Sequence, residues 1–325
     1  MILSFKIKEE VMLKDFLKKK IPNNVITSMK NKGQYLVNDQ AVNNHYLLKK
    51  DDLLQVVLPI EKIPENISAK MGVLDILYED SYLLIINKPA GIATIPTGKH
   101  FDNSLANLCM GYYIRKGIAS SIHFISRLDY PTSGIVSLAK NAYIATIMKS
   151  AFRVKKYLLV VKGLIDSDGM IEGYIYKDSV SIKRYLVFCQ TDNNSKEHYS
   201  KTIYRILGHN TNNETLIEAT LLTGKTHQLR VHFSTIGYPI KGDILYGDEK
   251  QGSSLYLHSY YLEFVHPVTK ENIEITNYPQ WYDQKEWHLW YRTLSLQKNL
   301  DNNRVLHLFL FLILFDYSFW PKVHR

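Results

Sequence analysis

The chain has 325 residues, of which 46% are hydrophobic and 12% aromatic, enough for one large core and a small second one. Forty Lys and Arg against 31 Asp and Glu give a formal net charge of +9, which favours a polyanionic partner such as nucleic acid. Charge alone leaves an anionic membrane surface open as well. Cys109 and Cys189 stand singly, without the spacing of a disulfide framework or a zinc site, so a reducing cytoplasm is the expected location.

The two ends of the chain argue against export and against insertion in a membrane. Residues Met1 to Glu10 carry several charges and lack the apolar run of a signal peptide. Leu308 to Phe315 is fully apolar but much shorter than the roughly 20 residues that a membrane-spanning helix requires. We interpret this segment as buried or interfacial, within an apolar tail, residues 296–325, of unknown role.

Residues 1–64 form a lysine-rich unit for which the apolar spacing predicts two helices and a hairpin. Two groups of apolar residues recur at helical spacing, namely Leu13, Phe16 and Leu17, and then Val25, Ile26 and Met29. A short strand at Tyr35–Asn38, a turn at Asp39–Gln40 and a closing strand at Leu53–Leu58 are expected to follow.

This order of elements resembles an S4-type RNA-binding domain, in which two helices and a hairpin present basic side chains to RNA. The segments that match are Leu13–Leu17, Val37–Val42 and Lys49–Leu54. Members usually have glycine in the hairpin turn and before the Asp of the final strand, where this chain has Asp39 and Asp51. The resemblance makes Lys14 and Lys18 candidate RNA ligands. The alternative is a packing module with a solvated charged face.

The segment Pro59–Ala69 reads as a linker, so the second domain is expected to span residues 65–295. A hairpin is predicted from the strands Leu74–Tyr78 and Tyr82–Pro89. A turn-rich loop follows at Ala90–His100, and then a helix at Ser104–Tyr113.

Later segments predict a sheet with few helices. Asn141 is a good N-cap for a helix whose apolar stripe is Ile144, Ile147, Met148 and Ala151. Lys155–Gly163 reads as a central buried strand. Further strands are predicted at Gly173–Tyr176, Tyr185–Phe188, Tyr199–Leu207 and Thr215–Leu222. The expected fold class is α+β, with a mixed but mostly antiparallel sheet.

The stretch Ser126–Lys140 places Arg127 and Asp129 just before a Pro-Thr-Ser-Gly turn that enters an apolar strand. A carboxylate clamped between a turn and a buried strand is held in place without losing solvent, as a nucleophile requires. Local chemistry alone favours an ordinary turn with a satisfied Asp, because Asp, Pro, Ser and Gly are common turn residues and any Arg can pair with any Asp.

Four motifs in order resemble the large-subunit ribosomal RNA pseudouridine synthases of the RluA type. They are the Arg-Leu-Asp stretch from Arg127, the Lys-Tyr-Leu strand at Tyr157, Thr223–His232, and Gly242–Gly247. The resemblance covers roughly residues 70–270 and implies the pseudouridine synthase fold. One departure is Ser126, where many members have His.

The resemblance implies a role for each site residue. Asp129 corresponds to the nucleophile, Tyr157 to the active-site tyrosine, and Arg230 to the arginine that pairs with the nucleophile. Arg127 lies beside the nucleophile and is placed with Lys225 and His227 among the RNA ligands. The isomerisation needs no cofactor or metal. His227 and His232 lack the spacing of a zinc site, and attack at C1′ or at C6 of the uridine both stay open.

The sequence therefore predicts an RNA pseudouridine synthase that extrudes specific uridines of a structured RNA and isomerises them. Ribosomal RNA is the first candidate substrate and transfer RNA the second, with no membrane partner and a monomeric state expected. The rival is a non-catalytic RNA-binding or ribosome-assembly factor on the same fold. A DNA-binding regulator is less favoured, because no helix-turn-helix or zinc-finger pattern is present.

Overall fold

The computed structural model describes residues 1–21, 23–29, 34–61, 67–98, 101–149, 151–189, 195–247, 249–283 and 287. The strands are β1 Ile2–Lys6, β2 Val11–Met12, β3 Gln34–Val37, β4 Gln40–Val42, β5 Leu47–Leu48, β6 Leu53–Val57, β7 Ile76–Glu79, β8 Leu83–Lys88, β9 His123–Phe124, β10 Ser133–Ala139, β11 Phe152–Lys162, β12 Gly169–Lys177, β13 Arg184–Val187, β14 Tyr199–His209, β15 Glu214–Leu221, β16 Leu257–Val265 and β17 Asn272–Thr276. The helices are α1 Leu13–Lys20, α2 Asn23–Met29, α3 Leu105–Lys116, α4 Ala142–Met148, α5 Ser195–His198 and α6 Gln228–Thr235.

The N-terminal unit packs α1 and α2 on a four-stranded sheet of order β1-β6-β3-β4. Both predicted helices are present, and Leu13, Leu17, Val25 and Met29 are buried in one core with the strands. The first strand, β1, was not predicted. It is short, and it pairs antiparallel with β6 from about fifty residues away, so local periodicity gives little sign of it.

The two aspartates that replace the usual glycines adopt the backbone conformation that favours glycine. Asp39 has φ 66° and Asp51 has φ 69°. The hairpin turn is formed by Asn38 and Asp39, because Gln40 already belongs to β4, so the predicted turn was one residue late. Asp and Asn tolerate this region better than other side chains do, which explains why the turn survives the replacement.

The second sheet has eleven strands. Nine follow the order β13-β12-β14-β15-β11-β16-β10-β8-β7, while β17 pairs with β16 and β9 with β10. Among the strand pairs of the described chain, β10 and β16 run parallel and the others antiparallel. The predicted α+β class with a mixed, mostly antiparallel sheet is confirmed.

Three helices cover this sheet and divide its core. Helix α6 packs through Leu229 and Phe233 on the middle of the sheet, around β11 and β15. Helix α3 packs through Leu105 and Cys109 on β8 and β10, whereas α4 packs on the opposite face of those strands. Tyr157 contacts both the α6 core and the α3 core, so it lies at the seam between them.

Some predicted bounds need correction. The Asn141 cap is present, with its side chain accepting the Ile144 N–H at 2.9 Å, but α4 ends at Met148. Ala151 joins the same core from the turn after the helix. Helix α3 continues to Lys116, where Gly117 ends it at φ 66°. Strands β2, β5, β9, β16 and β17 were also not predicted.

Several expectations fall on parts of the chain outside the described residues. These are the domain boundary at residue 65 and the apolar tail, residues 296–325, with Leu308–Phe315. Within the described ranges, no helix has the length and apolarity needed to cross a membrane.

Candidate active site

A cleft of about 980 Å³ opens at the seam between the α3 and α6 cores. Its walls come mainly from four segments of the chain: the loop after β8, the stretch around Asp129, the start of β11, and the connection from β15 into α6. Asp129, Tyr157 and Arg230, which lie far apart in sequence, all line this cleft.

The segment that carries Asp129 is fixed through its backbone. The Thr94 hydroxyl donates to the Leu128 carbonyl at 2.7 Å and accepts the Leu128 N–H at 3.2 Å. The Tyr130 carbonyl accepts the Gly91 N–H at 2.9 Å. Because these contacts are made to main-chain atoms, they do not occupy the Asp129 carboxylate, and the Asp129 side chain is 27% exposed.

The buried side chain of Lys88 also supports the loop that carries Asp129. It is fully buried at the end of β8, and its Nζ donates to the carbonyls of Pro89 and Ile92 at 2.9 Å each. A longer contact of 3.4 Å reaches the Tyr130 carbonyl. Burial lowers the pKa of Lys88 to about 7, an effect that the nearby Asp129 charge opposes. Lys88 therefore joins the β8 loop to the Asp129 loop.

Arg230 is held by a buried carboxylate that the sequence reasoning did not single out. Its Nε and Nη2 donate to the two oxygens of Asp243 at 2.8 Å each. The third nitrogen, Nη1, lies 3.5 Å from Asp129 Oδ2. Asp243 also accepts the N–H groups of Leu245 and Tyr246. Despite desolvation, the bond and charge of Arg230 hold the pKa of Asp243 below its ordinary value.

His227 forms the other side of the Asp129 site. It precedes α6 with φ 59°, and its Nε2 lies 3.9 Å from Asp129 Oδ2. The Tyr246 hydroxyl accepts the Arg184 N–H and lies 2.8 Å from His227 Nδ1, an arrangement that favours a proton on Nε2. Desolvation lowers the pKa of His227, so the ring is neutral at neutral pH.

Strand β16 connects the tyrosine to the loop. Tyr157 is hydrogen-bonded to Ser259, and burial, with Asp129 adding to it, raises the pKa of Tyr157 to about 12. The adjacent His258 places Nδ1 2.7 Å from the Ser133 hydroxyl, just after the Asp129 turn. Gly134 packs so closely on β16 that a Cβ there would lie 2.3 Å from the Ser259 carbonyl oxygen.

The predicted RNA ligands divide between two places. Arg127, Lys225 and His227 line the cleft, whereas Lys14 and Lys18 lie exposed on α1 in the N-terminal unit. Three further cations line the cleft, namely Lys149, Arg153 and Lys155. Burial lowers the pKa of Lys155 to about 8. The cleft therefore carries positive charge around Asp129.

Sequence reasoning missed Lys88, Thr94 and Asp243 as parts of the site. Lys88 is the last residue of an apolar strand. A charged residue at a position predicted to be buried could have indicated a specific role for Lys88, because lysine is rarely buried without a partner. Asp243 belongs to the Gly-Asp-x-x-Tyr-Gly motif, but its pairing with Arg230 is not evident from spacing. Among the described residues, no group of three His, Cys, Asp or Glu side chains forms a metal site.

Comparison with known proteins assigns the chain to a family. The family model described as RNA pseudouridylate synthase matches residues 82–235. The uncharacterized RNA pseudouridine synthase YjbO of Bacillus subtilis is 35% identical over 249 residues, which are 74% of this chain and 85% of that protein. The chain belongs to the RNA pseudouridylate synthase family. It is therefore an enzyme of the pseudouridine synthase class, as the sequence predicts.

Two further likenesses agree with this pseudouridine synthase assignment. Ribosomal large subunit pseudouridine synthase C of Vibrio cholerae is 31% identical, with 79% of this chain and 85% of that protein aligned. The structure of human RNA Pseudouridylate Synthase Domain Containing 1 has a TM-score of 0.52 and 24% identity, covering 70% of this chain and 97% of that one. The human protein supports the fold alone.

Proposed function

We propose that this pseudouridine synthase isomerises specific uridines of a structured RNA, ribosomal RNA first and transfer RNA second, with Asp129 as the nucleophile. The observation that carries the proposal is the Asp129 carboxylate, solvent-accessible in a basic cleft and 3.5 Å from a buried guanidinium. Ribosomal RNA is placed first because relatives such as the Vibrio cholerae synthase C are named for the ribosomal large subunit.

The reaction exchanges one bond of the nucleoside for another. The bond from N1 to C1′ breaks, the ring turns, a bond from C5 to C1′ forms, and a proton leaves C5 while N1 gains one. Asp129 either attacks C1′ or adds to C6, and in both cases the carboxylate must be ionised and uncovered. Arg230 places a positive charge 3.5 Å from this carboxylate.

The other residues act on the base and on the phosphates. A uridine in a helix is inaccessible, so the base is flipped into the cleft at a cost of a few kcal/mol in lost stacking. Tyr157 packs on the flipped ring and, with a pKa near 12, keeps its hydroxyl proton. Arg127 occupies the space that the base leaves, and the cations of the cleft hold the phosphates.

Residues 1–64 are proposed as an S4-like RNA-binding domain in front of the catalytic domain, residues 65–295. The left-handed backbone at Asp39 and Asp51, where that family has glycine, supports this assignment. Lys14 and Lys18 on α1 carry no ion pair among the described contacts and are available to phosphates. They are expected to add affinity rather than chemistry.

The test is tritium release from RNA labelled at C5 of uridine, using ribosomal and transfer RNA that lack the modification. Wild-type protein and the control Asp75→Asn, an exposed aspartate outside the cleft, are expected to release tritium, and Asp129→Asn is not. Equal release by Asp129→Asn would refute the nucleophile. A non-catalytic assembly factor predicts no release by any form. Lys14→Glu with Lys18→Glu is expected to raise KM, and an unchanged KM would refute the N-terminal role.

A further inference from the structure

A second cavity, of about 420 Å³, opens beside the catalytic cleft. It lies between the loop after β8, the start of α3 and β9. Its walls are mainly apolar and include Ile95, Phe101, Ala106, Ile122 and Phe124. Its size suits one planar heterocycle better than a folded segment of protein.

The second cavity shares part of its wall with the catalytic cleft. Ile95, Thr97 and Phe124 line both spaces. Because successive nucleotides of one strand are about 3.4 Å apart along a duplex axis, a residue next to the flipped uridine can reach this cavity. No separate binding event is needed to fill it.

The two spaces differ in charge. Arg127, Arg153 and Lys155 are among the cations that line the catalytic cleft, whereas no described residue that lines the second cavity is charged. Phosphates therefore favour the cleft. An uncharged, flat group favours the second cavity, where the Phe101 ring provides a face for stacking.

Phe101 is unusually exposed for its size. Its side chain lines the cavity and is 58% exposed, and Ile95, which also lines the cavity, is 37% exposed. Exposed apolar rings next to a nucleic-acid cleft are the kind of surface on which unpaired bases stack. Stacking covers apolar surface that water otherwise contacts.

We propose that this cavity is a subsite for a second extruded base, that of the nucleotide directly adjacent to the target uridine. The proposal rests on the proposed function, since it places the neighbour relative to a uridine at Asp129. A stacked neighbour stabilises the flipped state and makes site choice depend on an unpaired flanking nucleotide. Because every base has a flat face, the subsite selects unpaired structure more than base identity.

The test uses a synthetic RNA fragment around the target uridine, located by mapping pseudouridine in RNA treated with the wild-type protein. It is prepared intact and with an abasic ribose on either the 5′ or the 3′ side of that uridine. Phe101→Ala is expected to raise KM about tenfold on intact RNA with little change in kcat, in the range that loss of one base–aromatic stack causes. On the RNA with the correct abasic position, wild type and Phe101→Ala are expected to have equal KM values.

Two variants control for indirect effects. Phe101→Tyr keeps a ring and should keep the wild-type KM, while Phe188→Ala removes another exposed phenylalanine, 62% exposed and outside both cavities, without effect. If Phe101→Ala raises KM equally on intact and both abasic RNAs, or leaves it unchanged, the subsite is refuted while the proposed function stands. If Asp129-dependent pseudouridine never forms, the proposed function fails and this inference fails with it.

Discussion

The replacement Asp243→Asn tests whether the site depends on the buried ion pair beneath it. The Asp243 side chain is fully buried and that of Arg230 is 5% exposed, so neither charge has water to compensate for the loss of its partner. Removing one member of a buried pair costs about 3–5 kcal/mol, and the substitution removes the charge with almost no change of shape. The free energy of unfolding is expected to fall by about that amount at pH 7.

The dependence on pH gives the sharper form of this prediction. The pKa of Asp243 is lowered in the folded chain from its ordinary 3.8, so its stabilising effect is complete above that value and is lost as pH falls through the folded pKa. The stability difference between wild type and Asp243→Asn should therefore be constant from pH 7 to pH 5 and shrink below about pH 4.

Urea unfolding followed by circular dichroism measures both quantities, and tritium release measures the effect on activity. Glu172→Gln breaks an exposed pair with Lys201 and should leave the unfolding midpoint unchanged. An Asp243→Asn variant that loses less than about 1 kcal/mol, or whose loss is the same at pH 3 and pH 7, would show that the pair is not electrostatically important.

Two further predictions concern the support of the Asp129 loop. Burial lowers the pKa of Lys88 from 10.5 to about 7, so between these values the unfolded chain binds more protons and stability rises with pH. The advantage of wild type over Lys88→Met in urea unfolding should thus be larger at pH 10 than at pH 7, and an equal advantage would contradict the burial argument. Gly134→Ala combines φ 111° with a Cβ only 2.3 Å from the Ser259 carbonyl oxygen and should cost at least about 2 kcal/mol. Gly224→Ala, which meets nothing within 4 Å, is its control, and equal losses would exclude the clash.

Local signals predicted the elements that local interactions stabilise. The helix after Asn141 was predictable because its cap and its apolar stripe lie within a few residues of each other. The strands β1 and β17 were not, because each is short and its pairing is decided by a partner strand rather than by its own pattern. The turn at Asp39 shows the same limit, since its backbone is left-handed without the glycine that usually indicates this.

The catalytic residues were predictable only through the resemblance of ordered motifs, since Asp129, Tyr157 and Arg230 each have an ordinary structural interpretation alone. Their spacing along the sequence does not indicate that the three side chains lie in one site. The three side chains meet because β10 and β11 lie in one sheet and α6 packs on that sheet. No local sequence pattern encodes this arrangement. Lys88 and Asp243 were missed for a related reason, because sequence spacing shows neither the contact of Lys88 with the Tyr130 carbonyl nor the pairing of Asp243 with Arg230.

The contacts around Arg230 explain how a cation can lie beside Asp129 without covering its carboxylate. Asp243 occupies Nε and Nη2 of Arg230, so the guanidinium is fixed in its plane and directs only Nη1 towards Asp129. At 3.5 Å this second contact is looser than the bidentate pair, and the Asp129 side chain keeps 27% of its surface exposed. A direct bidentate bond to Arg230 would cover both oxygens of the nucleophile. Asp243 therefore fixes the Arg230 guanidinium beside Asp129 while leaving the Asp129 carboxylate uncovered.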